Sequence, residues 1–364
     1  MLSYRILYDY LQVNGGAERL ALTLARGLPA ARLGVSGLYP DFAAAHPLGV
    51  DADILGGRLA GRLPRVPWAL AVFSRLPARL LQARTVIYSG LYAPLAAPRQ
   101  PVGRRVYYCH TPPRFAFDWQ DEYLRRVPAI ARPALRLAIL RYRAAWLRAV
   151  RGMDAVLTNS QHVRQRLLRQ AGIDAQVVYP PVDTAAFSFA GQDDYYLSPG
   201  RLEANKRVDR IVRAFLAMPD KCLIVASGGS EAASLRALAA NAPNIRFTGW
   251  LTDAELAHLM GRAIAAIYIP RDEDFGMSAI EAMAAGKPVI GVEEGGLPES
   301  VVHGETGLLL PADPPPAAIV QAVRRLDAPA ASVMRMACEA RAGQFSQARF
   351  LSLFEQAAQP VDEN

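Results

Sequence analysis

The chain has 364 residues, of which 52% are apolar and 20% are charged, and it carries a net charge of +8. This length predicts two domains, and this apolar content fills large cores, which excludes a disordered chain, a coiled coil and a collagen-like protein. The three cysteines, Cys109, Cys222 and Cys338, lie far apart and fit neither a disulfide framework nor a zinc site.

Basic residues are concentrated in the first half. Residues 1–185 hold 25 of the 41 Lys and Arg residues and 11 of the 33 Asp and Glu residues, a net charge of +14, so residues 186–364 carry −6. The excess indicates contact with phosphate, nucleic acid or an anionic membrane, or else it reflects a genome composition that favours arginine.

No apolar run reaches about 20 residues and no signal-peptide pattern opens the chain, which predicts a cytoplasmic protein.

Short β-type runs alternate with helical patterns along the first half. They occur at residues 5–10, 33–39, 85–89, 105–109, 155–158 and 176–179. This alternation predicts a mostly parallel sheet covered by helices. The helical pattern over residues 128–151 is typical of a helix that covers such a sheet.

Residues 57–84 combine arginines with large apolar side chains. The arginines include Arg58, Arg62, Arg65, Arg75 and Arg79, and the apolar residues include Leu63, Trp68, Leu70, Phe73 and Leu80. This composition suits a segment that lies on an acidic lipid surface, and it suits equally an ordinary surface helix between two strands.

The second half repeats the α/β rhythm. Its β-type runs are residues 195–198, 222–226, 244–247, 265–269 and 288–292. Pro180-Pro181 and the polar residues up to Asp194 interrupt the pattern and predict a hinge between the two halves.

The most informative run is residues 271–290. It predicts a strand, a loop that turns at Gly276, and a helix that ends at Gly286 before the next strand. The N-terminus of such a helix can hold an anion, because its free N–H groups and the positive end of its dipole face the loop. Glu273 in the loop and Glu281 on the helix can then reach different parts of one ligand.

This run resembles the donor-site motif of the retaining GT-B glycosyltransferases of family four. Glu273 and Glu281 stand in the pattern E-x-F-G-x-x-x-x-E-A-M-A-x-G-x-P-V-I. Further resemblances follow the family's order along the chain: Gly15-Gly16-Ala17-Glu18-Arg19, Asn159-Ser160, Pro180-Pro181-Val182-Asp183, Gly200-Arg201-Leu202 with Lys206, and Gly295-Gly296-Leu297-Pro298-Glu299. The resemblance therefore covers nearly the whole chain.

The resemblance implies an α/β fold with GT-B architecture, in which two facing Rossmann-like domains enclose a ligand cleft. It implies an acceptor-binding domain over residues 1–183 and a nucleotide-sugar donor-binding domain over residues 184–344. Residues 345–364 are then expected to return to the first domain as a helix.

Glycosyl transfer explains the charged residues of the motifs. Cleavage of the sugar–diphosphate bond creates negative charge on the leaving group, so fixed positive charge must lie there. Arg201 and Lys206 are expected to supply it, which leaves no need for a metal ion or another cofactor. Glu273 is expected to bind hydroxyls of the donor sugar, and Glu281 those of the ribose.

Backbone N–H groups complete the expected donor site. They belong to the glycine loop and to the start of the motif helix: Gly15, Gly16, Phe275, Gly276, Met277 and Ser278. By resemblance, His110 lies at the sugar, where it orients a hydroxyl or supports positive charge. Arg114 is a candidate contact for phosphates of the acceptor. Asp272-Glu273-Asp274 also matches the D-x-D metal motif of another glycosyltransferase fold, but the family pattern aligns the central Glu, so no metal site is expected.

The segment Tyr108-Cys109-His110-Thr111-Pro112-Pro113-Arg114, followed by Asp118-Trp119, is similar to a bacterial polysaccharide branch that contains many mannosyltransferases. The expected activity is transfer of mannose from GDP-mannose, with retention, to a glycan or a polyprenyl-diphosphate-linked acceptor. The site of action would be the inner face of the bacterial cytoplasmic membrane, during surface polysaccharide assembly, with an anionic membrane surface as a partner and no nucleic acid.

Several alternatives stay open. They are a UDP-sugar-dependent transferase, a nucleotide-sugar epimerase, and a non-enzymatic basic protein that binds nucleic acid or membrane.

Two residues depart from the family pattern. Arg207 stands where many members have Gly, and Asp274 stands where a small residue or proline is common.

Overall fold

A computed structural model describes residues 2–13, 15–39, 42, 48–57, 60 and 62–359. The chain divides into two compact units, Met1–Pro180 with Phe350–Asn364, and Pro181–Arg349. Arg58 of the predicted basic segment lies outside the described residues.

The first unit contains, within the described residues, a sheet of seven parallel strands in the order β3-β2-β1-β4-β5-β6-β7. The strands are β1 (Leu2–Tyr8), β2 (Ala31–Val35), β3 (Ala52–Ile54), β4 (Ala83–Ser89), β5 (Arg104–Cys109), β6 (Ala155–Thr158) and β7 (Gln176–Val177). Its helices include Gly16–Gly27, Arg65–Arg75, Gln120–Arg125, Arg132–Arg151 and Gln161–Ala171, together with the part of the C-terminal helix Gln347–Ala358 that begins at Phe350. A parallel sheet with helical connections is a Rossmann-like arrangement.

The second unit repeats this arrangement with six parallel strands in the order β10-β9-β8-β11-β12-β13, again counting described residues only. They are β8 (Tyr196–Ser198), β9 (Leu223–Ala226), β10 (Ile245–Gly249), β11 (Ala266–Ile267), β12 (Val289–Val292) and β13 (Gly307–Leu310). The helices include Val208–Leu216, Ala232–Ala239, Asp253–Arg262, Met277–Ala284, Pro316–Arg325 and Ala328–Gly343. The prediction of two Rossmann-like α/β domains is confirmed.

The sheet of the first unit carries a hydrophobic core on each face. Because successive strand residues point to opposite faces, Leu7 and Tyr107 join one core while Ile6 and Tyr108 join the other. The C-terminal helix closes the second of these cores, where Phe354 packs against the Tyr108 ring at a centroid distance of 6.3 Å. The end of the chain thus stabilises the sheet in which the chain begins.

The basic segment of the first unit forms the helix Arg65–Arg75 and a short 3-10 helix, Ala78–Leu81. Five of its arginines lie within the described residues, and all five are exposed: Arg62, Arg65, Arg75, Arg79 and Arg84. Phe73 is fully buried in the core of the sheet, as the alternative of an ordinary helix between two strands would have it. Its burial follows from the helix covering the sheet, since the apolar stripe of a covering helix faces inward. None of the helices in the described part of the chain combines the length and the apolar character that a membrane span requires.

Candidate functional site

The strand order of the second unit reverses between β8 and β11. Ligands of open α/β sheets bind beyond the carboxyl ends of the strands at such a switch point, because the connections on its two sides diverge. Lys206 lies in the loop that follows β8, and Glu273 lies in the loop that follows β11. The fold therefore brings together two predicted site residues that are 67 positions apart.

Lys206 and Glu273 form an ion pair. Lys206 Nζ lies 2.5 Å from Glu273 Oε2 and donates a second hydrogen bond to the Tyr268 hydroxyl at 2.9 Å. The Lys206 side chain is only 11% exposed and that of Glu273 18%. Burial by itself would lower the pKa of Lys206, but the Tyr268 oxygen and the Glu273 carboxylate outweigh it and raise the pKa above its usual value. The ammonium group is therefore held charged at the switch point.

Arg201 begins the same loop, directly after Gly200, and its side chain is exposed. The loop continues through a short 3-10 turn, Ala204–Lys206, and Arg271 N donates a hydrogen bond to Asn205 O at 2.7 Å. This bond ties the loop of Arg201 and Lys206 to the loop that holds Asp272, Glu273 and Asp274, called the acidic loop below. One half-buried and one exposed cation thus lie on one loop beside the acidic residues.

The acidic loop leads into the helix Met277–Ala284, as the sequence predicts. Gly276 precedes the helix with a φ of +93°, a left-handed conformation that glycine adopts without strain. As the N-cap residue, Gly276 has no side chain with which to cap the helix, so the first N–H groups can receive an anion. Phe275 is buried and stacks edge-on against Phe345, while Met277 and Ser278 are half-buried.

The backbones of Gly295 and Gly296 contact the backbone of the acidic loop at Glu273. A Cβ on Gly295 would lie 2.3 Å from the carbonyl oxygen of Glu273, and Gly296 N donates a hydrogen bond to that same oxygen at 2.8 Å. The backbones therefore approach more closely than any side chain would allow. This contact gives the glycine pair of the family pattern a structural role.

Glu281 lies in the second turn of the motif helix and is only 3% exposed. Sequence reasoning placed it at ribose hydroxyls but did not predict its burial. A carboxylate excluded from water interacts strongly with any polar group that reaches it.

The strand order of the first unit reverses between β1 and β4, and Asp9 lies there. Its carboxylate accepts backbone hydrogen bonds from Leu91 at 2.6 Å, Tyr92 at 2.8 Å and Ala93 at 2.9 Å. Burial raises the pKa of Asp9 to about 6, although these three bonds oppose the shift. Sequence reasoning missed Asp9; the available signal was an acidic residue directly after the first strand.

His110 follows β5 and is hydrogen-bonded to the end of β4. Its Nε2 lies 2.8 Å from Ser89 Oγ, and its ring packs beside Tyr8 and Tyr108. Burial lowers the pKa of His110 to about 4, so the imidazole is neutral at pH 7. Of the two expected roles, a neutral ring can orient a hydroxyl but cannot supply positive charge.

Gly15 and Gly16 begin the helix Gly16–Gly27. A Cβ on Gly15 would lie 2.7 Å from the Glu18 carboxylate, so the space that this glycine leaves is used by an acidic side chain of the same helix. Sequence reasoning expected a phosphate near this loop and did not foresee the neighbouring negative charge.

Arg114 lies over the Trp119 ring at 4.5 Å, with its Nε 3.4 Å from Thr111 Oγ1. Arg166, which sequence reasoning missed, is buried beside it, with NH1 3.3 Å from Thr111 Oγ1 and Nε 3.7 Å from Asp118. Both arginines therefore fix the segment that follows His110.

Within the described residues, no three His, Cys, Asp or Glu side chains are grouped closely enough to hold a metal ion.

Comparisons with known proteins agree with this architecture. Residues 14–186 match the family model for glycosyltransferase family 4, and residues 183–341 match that for glycosyl transferases group 1. The chain is 33% identical over 212 residues to a glycogen synthase of Mycobacterium tuberculosis, a match that covers 52% of this chain and 49% of the relative. It is 28% identical over 190 residues to the alpha-1,3/1,6-mannosyltransferase ALG2 of Rhizomucor pusillus, with 38% and 42% covered.

The chain thus spans about half the length, or less, of these curated relatives. The crystal structure of Anabaena HepE in complex with UDP and glucose has a TM-score of 0.73 to this chain at 17% identity, and the match covers 98% of this chain and 99% of HepE. That likeness shows a shared fold. The two family models adjoin and together account for the chain from residue 14 to residue 341, and the protein belongs to the GT-B glycosyltransferases of group 1 and family 4.

Proposed function

We propose that the protein is a retaining glycosyltransferase that transfers mannose from GDP-mannose to a glycan or a polyprenyl-diphosphate-linked acceptor. The observation that carries this proposal is the Lys206–Glu273 pair, at 2.5 Å, at the switch point of the second unit. A charged ammonium group and a carboxylate side by side suit a ligand that combines a diphosphate with a hydroxylated sugar. The second unit would bind this donor, and the first the acceptor.

The chemistry follows from the charges. As the sugar–diphosphate bond breaks, Lys206, the exposed Arg201 and the N-terminus of the helix Met277–Ala284 would stabilise the charge that develops on the leaving phosphate. The acceptor hydroxyl would attack from the face that the diphosphate leaves, and the departing phosphate would take its proton. Glu273 would hold sugar hydroxyls, and the neutral His110 would orient a hydroxyl.

The identity of the donor is a more specific part of the proposal than the type of reaction. GDP-mannose is supported by the segment from Tyr108 to Trp119 and by the similarity to the mannosyltransferase ALG2, whereas HepE, crystallised with UDP, supports a UDP-sugar as the alternative. A panel of nucleotide sugars tested for protection against thermal unfolding distinguishes them, because a ligand of the folded state raises its stability. GDP-mannose should give the largest rise in Tm, and turnover only with UDP-sugars would contradict it.

Stereochemistry and metal dependence test the reaction itself. NMR of the product should show the anomeric configuration of the donor, and an inverted product would exclude the proposed mechanism. We propose that neither a metal ion nor another cofactor takes part, since basic side chains offset the diphosphate charge. EDTA should therefore leave turnover unchanged, whereas a strict requirement for added divalent metal would contradict this part of the proposal.

The place of action follows from the acceptor. A polyprenyl-diphosphate-linked glycan lies in a membrane. The first unit contains nearly all of residues 1–185, which carry +14, and it would rest on the inner leaflet of a bacterial membrane during surface polysaccharide assembly. The less favoured function is a nucleotide-sugar epimerase. Incubation of donor without acceptor separates the two, because only an epimerase would convert the donor sugar.

A further inference from the structure

A groove of about 580 Å³ opens on the surface of the first unit, between the helices Gln120–Arg125 and Arg132–Arg151. Its volume lies within the roughly 300–1,000 Å³ of small-ligand pockets. Leucines form much of its apolar lining: Leu124 is buried, whereas Leu137 and Leu140 are 49% and 50% exposed. Apolar side chains that stay this far in water along a groove indicate a ligand with an apolar part.

The lining of the groove is also basic. It contains Arg125, Arg132 and Arg136 against the carboxylate of Asp121, so three positive charges face one negative charge. The ion pairs formed within the described part of the chain include none of these three arginines. Residues 123–153 hold eight arginines and no acidic residue. The surface around the groove therefore attracts anions.

Two of these arginines lie where they do not stabilise their helix. Arg132 is in the first turn of the helix Arg132–Arg151, at the positive end of the dipole, and that turn contains no acidic residue. Arg136 follows four positions later, and like charges at this spacing repel each other. An anion bound in the groove would relieve both effects. The arginines and the leucines together favour a ligand that joins an anionic group to an apolar chain.

The groove adjoins the segment that carries Arg114, the candidate contact for phosphates of the acceptor. The helix Gln120–Arg125 begins directly after Trp119, and the Arg114 guanidinium lies over that ring at 4.5 Å. Phe115 of the same segment packs against Tyr142 of the longer helix at a centroid distance of 4.9 Å. A helix of six residues is about 9 Å long, so one extended ligand can contact both the groove and Arg114.

We propose that this groove binds the isoprenoid chain of a polyprenyl-diphosphate-linked acceptor, an inference that rests on the proposed function. The chain lies on Leu124, Leu137 and Leu140, and the arginines of the lining meet the phosphates. The concave shape favours a single chain over the surface of a bilayer, because Leu124 is only 4% exposed.

Calorimetric titration of the full chain with farnesyl diphosphate, a short and water-soluble isoprenoid, tests the groove. The double variant Leu137→Ala, Leu140→Ala should raise the Kd by about 10-fold or more, because two leucines lose their contact with the chain. The Kd of inorganic pyrophosphate, which has no chain, should stay unchanged. The matched control is Val333→Ala, Met336→Ala, since these residues also lie three positions apart on a helix and are 85% and 81% exposed. This control should bind farnesyl diphosphate like the wild type.

The arginines are tested in the same titration. Arg132→Gln with Arg136→Gln should weaken the binding of farnesyl diphosphate and make it less sensitive to salt, because two charges that face the phosphates are lost. Arg324→Gln with Arg325→Gln is the control, which removes the same charge from an exposed helix end of the second unit. Wild-type affinity for farnesyl diphosphate in the leucine variant, or an equal loss of affinity for pyrophosphate, would overturn the proposal.

Two other occupants of the groove would give different results. If the groove rests on a bilayer, the leucine variant loses binding to phosphatidylserine vesicles and keeps its affinity for farnesyl diphosphate. If the groove joins two copies of the chain, the variant converts a dimer into a monomer in sedimentation velocity and again keeps that affinity. Either result would overturn the proposal.

Kinetics separate the groove from the proposed function. The leucine variant should raise the KM of a polyprenyl-diphosphate-linked acceptor more than the KM of the same glycan without the lipid. Equal changes would contradict the role of the groove and leave the transferase activity in place. A wild-type chain that transfers no sugar from any nucleotide sugar would contradict the proposed function, whereas the titration with farnesyl diphosphate would still decide whether the groove binds an isoprenoid.

Discussion

The guanidinium of Arg207 lies 2.8 Å from one carboxylate oxygen of Glu294, and the other oxygen of that carboxylate accepts a hydrogen bond from the backbone N–H of Asp272 at 2.8 Å. Glu294 thus links the start of the helix Val208–Leu216 to the acidic loop one residue before Glu273. Arg207 has a φ of +53°, which explains why glycine is common at this position in the family. The ion pair is mostly buried, and it holds an arginine where the backbone favours glycine.

Glu294→Ala should therefore disturb the acidic loop without touching the ligand. Asp272 N–H and Arg207 would lose their shared acceptor, and a displacement of Glu273 by about 1 Å can lower turnover by up to 10²-fold. The measurement is kcat/KM with the donor. Asp313→Ala is the matched control, because the exposed Asp313 also pairs with Arg207, at 3.3 Å, whereas the bond to Asp272 N in the acidic loop belongs to Glu294. Equal losses in the two variants would contradict the positioning role of Glu294.

Arg207→Ala and Arg207→Gly separate the backbone conformation from the ion pair. Both variants lose the contact with Glu294, but only alanine keeps the unfavourable left-handed φ, which costs about 1 kcal/mol for a residue with a Cβ. Arg207→Gly should therefore be the more stable of the two in urea unfolding monitored on the whole chain. Identical unfolding midpoints would show that the backbone at position 207 relaxes.

Lys206→Ala and Glu273→Ala test the pair at the switch point. Each should lower turnover by about 10²-fold or more, the loss expected when an electrostatic contact to the developing charge is removed. Because the two side chains are hydrogen-bonded, their effects should not add, and the double variant should lose less than the product of the single losses. Arg213→Ala, an exposed arginine of the following helix, is the control and should retain wild-type turnover.

The sequence predicted the two parallel sheets but missed β3 and β13. Each is an edge strand that pairs on one side only, and β3 has just three residues, too few for an alternating pattern to stand out. The longer runs that became β4 and β5 are central and buried, so their apolar character was visible. Central strands can thus be predicted from local composition, whereas short edge strands are defined mainly by their pairing with a neighbouring strand.

The residues of the candidate site could be predicted from the sequence, but their contacts with one another could not. The family pattern identified Lys206 and Glu273, but nothing in it indicates that they pair, because that contact depends on which strands are neighbours. Asp9 was missed for a similar reason, since its partners lie 82 to 84 residues away. The left-handed φ of Arg207 could have been inferred from the glycine it replaces, whereas its partner Glu294 could not.

The low pKa of His110 makes stability depend on pH. The folded protein has a pKa of about 4 at this residue, against 6.5 for an unperturbed histidine, because burial disfavours the charged form. Between these values the unfolded chain binds a proton that the folded chain does not, so stability is lost as the pH falls from 6.5 to about 4. His110→Asn should remove this part of the acid sensitivity, as measured by urea unfolding at pH 7 and pH 5.

Asp9 has the opposite effect on the pH dependence of stability, and it acts in the same pH range as His110. Its pKa of about 6 lies above the ordinary 3.8, so protonation favours the folded state as the pH falls through this window. The comparison of wild type with His110→Asn isolates the histidine, because both carry Asp9. If both lose the same stability between pH 7 and pH 5, His110 is not held neutral by the fold.

Membrane association through the basic segment should be electrostatic. Phe73 is buried, whereas Arg62, Arg65, Arg75 and Arg79 are exposed, so the segment offers mainly charge to a bilayer. Each arginine near an anionic surface contributes about 1 kcal/mol. Only residues within about 8 Å of the surface count at physiological ionic strength, because salt screens the rest.

Vesicle sedimentation measures this directly. Replacing Arg62, Arg65, Arg75 and Arg79 by Gln should abolish binding to vesicles that contain phosphatidylserine, since four contributions are lost at once. The control replaces four exposed arginines of the second unit, Arg213, Arg246, Arg324 and Arg325, and therefore makes the same change in net charge. The control should bind like the wild type, and wild-type binding should weaken with salt. Equal loss in both variants would mean that net charge alone attracts the protein, and equal wild-type binding to neutral vesicles would exclude electrostatic docking while leaving the proposed transferase activity unaffected.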